Sequence, residues 1–247
     1  MDTSNYLPLA AAAGLQRALE VTAGNMANAT TTGHRAGRVV FENMLAQPPL
    51  GPDSGLSYGR DRLSYADLGQ GTLVNTGNLL DVALEGDAWF AYATPEGGVA
   101  YGRDGRLFMN AEGNVVTANG MAVLDAGGGA LVLPPETGQP QIADDGTIST
   151  ADGDVLGQIG RFSAPDIATW QRYGQSMFMP RDGLGADLEP AENARVLQGV
   201  LEHSNVNPVS EMVRMIEIQR AFDQNMAFAK NQDQLRSQTL GRLGQPA

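Results

Sequence analysis

Few residues of this chain could form a reaction centre or hold a metal ion. His34 and His203 are its two histidines and cysteine is absent, so a zinc site would lack most of its usual ligands. Gly69-Gln70-Gly71 begins like a dinucleotide-binding loop, but the stretch continues to Val74 and does not complete the pattern. No G-x-S-x-G nucleophile motif is present. We therefore predict no catalytic, cofactor-binding or metal-ligating residue and no enzyme activity.

The carboxylates lie mostly in turn sequences. Asp-Gly and Asp-Asp-Gly steps recur, as at Asp104, residues 144–146 and Asp152. In such turns an Asp side chain accepts hydrogen bonds from the nearby backbone. An acidic β protein always contains carboxylates that could pair as in a hydrolase, so a secreted β-domain enzyme stays as an alternative from another class. Nothing in the sequence singles out one such pair.

Acidic charge is concentrated in the middle of the chain. The net charge is −12, and residues 48–194 carry twenty acidic and seven basic residues, whereas both ends are nearly neutral. An acidic middle repels phosphate, which argues against nucleic acid as a partner. The start lacks a basic residue before its apolar run, so we expect no general secretory signal. The sequence contains no stretch of about 18 or more apolar residues, so we predict no membrane-spanning helix.

The two ends of the chain are predicted to be helices. Residues 9–30 are rich in Ala and place Leu15, Leu19 and Met26 on one apolar face, and this helix should end near Asn25–Asn28. Residues 208–243 predict a longer helix whose heptad seam runs through Met212, Met215, Gln219, Phe222, Met226 and Ala229, with Ile216 widening the stripe. Helices at the two chain ends usually pack on each other, on copies of the chain or on a partner.

The middle of the chain is predicted to be antiparallel β-structure. Short apolar runs alternate with turn signals such as Pro95–Gly98 and Asn119-Gly120. Trp89 and Phe90 should pack in its core. The fold class is therefore α+β, with terminal helices forming a coiled-coil-like pair. The predicted organisation is a helical assembly region at 1–35, an extended junction at 36–78, the β domain at 79–185, a return linker at 186–207 and a second helical assembly region at 208–247.

The segment from Asn25 to Arg35 resembles the N-terminal motif of bacterial flagellar rod and hook proteins, N-N-x-A-N-x-x-T-x-G-F/Y-K/R. Gly24 and His34 depart from it, because that family usually has Asn and an aromatic residue there. The closing stretch 201–213 with 219–222 is similar to the family's C-terminal signature, and the middle block at 76–87, Tyr101 and 113–117 is similar as well. The resemblance covers most of the chain in three ordered blocks.

This resemblance implies a structural subunit of the flagellar basal body that serves motility. At 247 residues the chain is similar in length to the two mid-sized rod proteins. Its opening residues and the run after His34 favour the proximal one, with the distal rod or a hook-like axial protein as the alternative. The implied partners are itself in a helical assembly, other rod subunits and the type III export apparatus, with no small-molecule substrate and no cofactor. The implied location is the periplasm-spanning rod, where the subunit surrounds the export channel and transmits motor torque.

The resemblance and the apolar helix faces together predict the assembly interface. Gly33 should take a positive φ where the chain turns after the first helix, and Asn25 and Asn28 should bond backbone groups at the helix end. The predicted interface residues are Leu15, Leu19, Asn25, Met26, Asn28, Thr32, Gly33, Arg35, Asn205, Asn207, Met212, Met215, Ile216, Phe222 and Met226.

Overall fold

A computed structural model describes residues 6–39, 64–134, 138–180, 189–191 and 193–243. The chain divides into two compact units, which are described separately. The helical unit contains residues up to 27, from 37 to 65 and from 207 onward, and the β unit contains residues 28–36 and 66–206. The predicted linker at residues 47–55 and most of the irregular segment at 180–194 lie outside the described residues.

The helical unit is built from α1 (Tyr6–Ala27), α2 (Pro208–Leu243) and the short strands β1 (Gly37–Val39) and β2 (Ser64–Ala66), which pair with each other. The prediction of two terminal helices is confirmed, and the predicted bounds of α2 agree with the structure. Asn207 caps the start of α2, because its Oδ1 accepts hydrogen bonds from the amides of Val209 at 3.0 Å and Ser210 at 3.2 Å. Pro at the first helical position completes this start.

Within the part of the chain that the structure describes, no helix is long and apolar enough to cross a membrane.

α1 owes its apolar character to small side chains, and Ala12, Ala18 and Thr22 are buried. Small residues on a helix face let a neighbouring backbone approach closely.

The β unit consists of short antiparallel strands, as predicted. Its largest sheet has four strands in the order β12-β13-β6-β5, and the other strands pair as β11-β10-β9, β14-β4, β15-β3 and β7-β8. A short 3-10 helix spans Ile167–Thr169. The strands are β3 (Leu73–Asn75), β4 (Val82–Glu85), β5 (Phe90–Ala93), β6 (Val99–Gly102), β7 (Leu107–Met109), β8 (Val115–Thr117), β9 (Gln141–Ile142), β10 (Thr147–Ser149), β11 (Val155–Gln158), β12 (Gln171–Tyr173), β13 (Met177–Met179), β14 (Arg195–Gln198) and β15 (Val200–Glu202).

The four-stranded sheet is covered on both faces. Because side chains alternate along a strand, Phe90 and Tyr92 point to the larger apolar cluster and Ala91 points to the smaller one. The smaller cluster also contains Trp89 and Phe178, whose rings meet edge to face at 5.8 Å. The prediction that Trp89 and Phe90 are core residues is confirmed, since they are 4% and 1% exposed.

The Asp-Gly turns form as the sequence indicates. Asp104 Oδ1 accepts the amide of Arg106 at 3.2 Å, and Asp145 Oδ1 accepts the amide of Thr147 at 2.9 Å. These carboxylates are used to turn the backbone.

Three segments differ from their predicted structure. The Asn119-Gly120 signal predicts a strand after the turn, but residues 122–125 form isolated bridges there, such as Val116 to Ala122. β3 lies in the segment predicted as an extended junction, and β14 and β15 lie in the segment predicted as a return linker. β14 pairs with β4, and β15 pairs with β3. Because each of these strands pairs with a segment far along the chain, turn signals between sequence neighbours do not reveal it.

Candidate assembly junction

The segment after α1 turns at Gly33 and continues in an extended conformation. The turn is held by bonds from the amide of Thr31 to the carbonyl of Asn28 at 3.1 Å and from His34 to Thr31 at 3.4 Å. Gly33 has φ +66°, as predicted from its place in the motif. Its amide donates to the carbonyl of Glu202 at 2.8 Å. The N-terminal motif therefore contacts β15, which belongs to the C-terminal signature.

A buried ion cluster lies where these two segments meet. Arg35 Nη1 donates to Glu202 Oε1 at 2.5 Å, and Arg103 Nη1 donates to Glu202 Oε2 at 3.4 Å. Arg35 and Glu202 are both fully buried, and Arg103 is 2% exposed. The amide of Gly71 also donates to Glu202 Oε1 at 2.8 Å. We call Arg35, Arg103 and Glu202 the junction cluster.

Trp89 and backbone carbonyls complete the surroundings of the two guanidinium groups. The guanidinium carbons of Arg35 and Arg103 lie 5.6 and 4.9 Å from the centroid of the Trp89 ring, within cation–π range. Arg103 Nη2 donates to the carbonyl of Gly86 at 2.6 Å. Burial lowers the pKa of Arg103 to about 10, while Glu202 acts in the opposite direction. Arg103 thus remains charged at neutral pH, and the cluster holds two cations against one carboxylate.

Asn205 fixes the same segment through its side-chain amide. Its Oδ1 accepts the amide of Ala36 at 2.7 Å, and its Nδ2 donates to the carbonyls of Asp67 at 2.9 Å and Gly69 at 2.8 Å. One side chain therefore ties three stretches of the β unit together. The bonds use both the donor and the acceptor of the amide, which explains why the position needs Asn rather than Asp.

Thr32 anchors the other side of the turn. Its hydroxyl donates to Asp104 Oδ1 at 2.6 Å, and the same oxygen accepts the amide of Arg106 at 3.2 Å. Burial raises the pKa of Asp104, whereas the bonds from Thr32 and Arg106 oppose that rise. The predicted site residues Thr32, Gly33, Arg35 and Asn205 therefore lie in one buried network of the β unit.

In the helical unit, Asn25 performs a comparable role. It exchanges two hydrogen bonds with the backbone of Gly37, at 2.9 and 2.7 Å, and donates to Glu211 Oε2 at 3.0 Å. Arg38 Nη1 donates to Glu211 Oε1 at 3.2 Å. Asn25 thus bonds backbone groups, as expected, but those of Gly37 beyond the end of α1. Asn28 Oδ1 accepts the hydroxyl of Thr31.

α1 and α2 contact each other, and the less exposed line of α2 shares Met215 and Phe222 with the predicted seam. Leu15 and Leu19 line an apolar groove of about 290 Å³ together with Ile218 and Phe222. Ile218 is buried, Met215 and Phe222 are partly buried, and so is Met26 on α1. By contrast, Met212, Ile216 and Met226 are 54%, 45% and 49% exposed. Asn207 is exposed and caps α2.

Several residues of these networks are not revealed by the sequence alone. Arg103, Glu202 and Glu211 carry charges that are buried, and charged residues are almost never buried unless they are paired. The one available signal is position, because Glu202 follows two apolar residues in the closing signature and Arg103 follows β6 directly. Neither position reveals a partner that lies far along the chain.

The described residues contain no cluster of His, Cys, Asp or Glu suited to a metal ion. The most extensive polar network among them is buried and bonds to other parts of the same chain, while Arg35 Nε and Nη2 and Arg103 Nε have no hydrogen-bond partner among the described residues. An α+β fold organised around such a network, with apolar helix faces at both chain ends, defines a structural subunit.

Comparison with known proteins identifies which kind of structural subunit it is. Residues 197–242 match the family model described as flagellar basal body rod FlgEFG protein C-terminal, and residues 83–150 match that of the flagellar hook protein FlgE/F/G D1 domain. The chain is 38% identical to the flagellar basal-body rod protein FlgF of Mesorhizobium japonicum over 99% of both chains, and 34% identical to that of Caulobacter vibrioides over 99% of both. It is 29% identical to the FlgG of Bacillus subtilis over 95% of this chain and 97% of the relative.

The chain therefore belongs to the flagellar basal-body rod protein family, and it is FlgF-like. It is a structural subunit of the flagellum that assembles with other flagellar subunits, as the sequence analysis predicted. The family consists of structural proteins not known as enzymes, so the enzyme alternative is not supported. The distal-rod alternative is not favoured either, given the identity to relatives named FlgF.

Proposed function

We propose that this protein is a self-assembling subunit of the proximal rod, placed around the export channel so that the rod transmits motor torque. The observation that carries the proposal is the fully buried ion pair between Arg35 and Glu202. It joins the N-terminal motif to the C-terminal signature within one network. A subunit that transmits torque needs its two ends held in fixed register, and a buried, many-partnered network resists shear better than exposed contacts.

We further propose that α1 and α2 form a coiled-coil-like pair. The buried or partly buried residues Glu211, Met215, Ile218 and Phe222 follow one another at spacings of four, three and four along α2. This is the heptad spacing of a helix seam. Leu15 and Leu19 of α1 face Phe222 across the groove.

The exposed apolar residues of α2 are proposed to contact neighbouring subunits. Val209, Met212, Val213 and Ile216 are 45% to 71% exposed and lie at three- and four-residue spacing on one face. We call them the α2 patch. The groove and the α2 patch are different surfaces. Contact between two different surfaces on successive copies builds a ring or an open helical array rather than a two-fold dimer, and we propose the open array for the rod.

The proposed location is the periplasm-spanning rod, which the subunit would reach through the flagellar type III export apparatus. This part of the proposal rests on relatives named as basal-body rod proteins. It is tested by placing a tagged subunit in purified basal bodies by electron microscopy. Finding the tag at the membrane-proximal end of the rod would support the proposal, and finding it in the hook would refute it.

Replacing Phe222 or Met215 with Asp should block rod assembly while the β unit stays folded. Phe222 lines the groove between α1 and α2, and Met215 is partly buried on α2, so a carboxylate at either position would be partly desolvated, at a cost of up to several kcal/mol. Swimming in soft agar and the yield of basal bodies measure assembly. Trp89 and Trp170, both in the β unit, report its folding by fluorescence. The control is Gln224→Asp at an exposed position of α2, and normal swimming by the Phe222→Asp strain would contradict the helix-pair proposal.

Met212→Asp should weaken contacts between copies of the chain without disturbing the pairing of α1 with α2. Met212 is 54% exposed, so the free energy of unfolding should change by less than about 0.5 kcal/mol. Basal-body yield should nevertheless fall severalfold, because the carboxylate would be desolvated when a neighbour covers the α2 patch. Asn231→Asp, exposed further along α2, is the matched control. Equal yields from both variants would show that neighbours do not cover the α2 patch.

A further inference from the structure

His34 is a titratable ring buried inside the candidate assembly junction, and the assembly proposal assigns it no role. It is 4% exposed. Its Nδ1 lies 2.5 Å from the carbonyl oxygen of Gln175, and its own carbonyl accepts the amide of Asn205 at 3.3 Å. Nε2 is buried and has no hydrogen-bond partner among the described residues. A carbonyl oxygen only accepts, so Nδ1 carries the proton of the neutral ring.

The charges around His34 are mainly positive. Arg35 follows it directly, and Arg172 of β12 donates to the carbonyl of Arg35 at 2.7 Å. Arg103 lies in the same junction cluster, where Glu202 is the carboxylate that both Arg35 and Arg103 contact. A second proton would have to reside on Nε2. It would place a buried N–H without an acceptor near the positive charges of Arg172 and Arg35.

These surroundings favour the neutral ring in the folded protein. Burial lowers the pKa of His34, Arg172 and Arg35 lower it further, and the bond to Gln175 acts in the opposite direction. The pKa in the unfolded chain is about 6.5. Because the folded pKa lies below the unfolded one, the stability that the neutral ring supports is complete above pH 6.5 and is lost as the pH falls below it.

We propose that His34 is an acid-sensitive latch, which keeps the junction closed while its ring is neutral and opens the junction when the ring is protonated. The proposal rests on the assembly role of the junction, because an opened junction would no longer hold Gly33, Arg35 and Asn205 in place. The junction therefore responds to the binding of a proton at Nε2 of His34. Acidification of the surroundings would lower the fraction of subunits able to join the rod.

The latch predicts a specific part of the pH dependence of stability. Urea unfolding of the full chain, followed by tryptophan fluorescence, would be measured at pH 7.5 and 5.5 for the wild type and for His34→Gln. One pH unit below 6.5, the unfolding equilibrium constant of the wild type should rise by up to about tenfold more than that of His34→Gln. Asp104 works in the opposite direction, since its raised pKa adds stability in acid, but it contributes equally to both proteins.

The control is His203→Gln, which removes the other histidine and should keep the pH dependence of the wild type. Equal pH dependence in the wild type and His34→Gln would overturn the latch. If His34→Gln does not fold, the NMR titration of the wild-type histidines decides instead. A His34 ring that stays neutral, with Nδ1 protonated, down to the pH where the chain opens supports the latch. A His34 ring that titrates near pH 6.5 in the folded protein overturns it.

Assembly is measured separately, so that the failure of the latch can be told from the failure of the assembly role. Sedimentation of purified subunits at pH 7.5 and 5.5 should show acid-sensitive assembly for the wild type and less sensitive assembly for His34→Phe, which keeps a ring of similar shape. No assembly at either pH would refute the assembly role and leave the stability result standing. Equal acid sensitivity of assembly in both proteins would overturn the latch.

Discussion

Gly33→Val is expected to abolish assembly and to destabilise the β unit by about 4 kcal/mol or more. Two effects combine at this position. Gly33 has φ +66°, a conformation that costs a β-branched residue about 1–3 kcal/mol. In addition, a Cβ here would lie 2.4 Å from the backbone carbon of Arg103 and from the backbone nitrogen of Asp104. Backbone atoms cannot rotate away, so the turn or the strand beside it must shift.

The matched control is Gly120→Val, which separates strain from steric overlap. Gly120 has φ +78°, and a Cβ there would meet nothing within 4 Å. The free energy of unfolding of Gly120→Val should therefore fall only by the cost of the strained backbone conformation, about 1–3 kcal/mol, and the protein should still assemble. Urea midpoints by tryptophan fluorescence and basal-body yield measure the two effects. Wild-type basal-body yield from Gly33→Val protein would refute the claim that this turn is required.

Glu202→Gln is expected to destabilise the β unit by about 3–5 kcal/mol. The substitution keeps the shape of the side chain but removes the negative charge that Arg35 and Arg103 share. Two buried guanidinium groups would then face an amide that offers one acceptor oxygen and whose NH₂ group repels them. Removing the charge of one member of a buried ion cluster lowers the free energy of unfolding, because the remaining charges stay buried without a counter-charge.

Glu112→Gln provides the comparison, because Glu112 is exposed in the same unit. Its effect should stay within about 0.5 kcal/mol. The measurement is again the urea midpoint, together with the loss of basal bodies in a strain that carries the Glu202 variant. Equal stabilities of the Glu202 and Glu112 variants would show that the junction cluster contributes little to stability.

The sequence could predict features that depend on neighbours in the chain. The Asn207-Pro208 start and the long run without glycine before residue 241 give the bounds of α2. The Asp-Gly steps predict turns because their side chains bond the adjacent backbone. Gly33 could be predicted to take a positive φ for the same reason, since the residues around it end a helix.

Which face of α2 lies against α1 could not be decided in this way. The predicted seam and the less exposed line of α2 share Met215 and Phe222 and both have heptad spacing, but the predicted seam continues through Met212 and Met226, whereas Ile218 is the residue that is buried. Both lines are apolar, so periodicity fits either of them. The choice between them depends on where Leu15 and Leu19 of α1 meet α2, which is a contact between distant segments.

The local sequence by itself determined the helices, the β pattern, the turn at Gly33 and the similarity to the flagellar rod proteins, because each depends on residues close together in the chain. Tertiary structure alone decided that Glu202 is fully buried and bonded to Arg35, 167 positions away, and to Arg103. A charged side chain taken alone favours water, and its burial becomes possible only when folding supplies opposite charges and hydrogen-bond donors. For the same reason the neutral ring of His34 depends on its burial in the folded chain, which lowers the pKa of the ring, and the guanidinium group of Arg172 lowers it further.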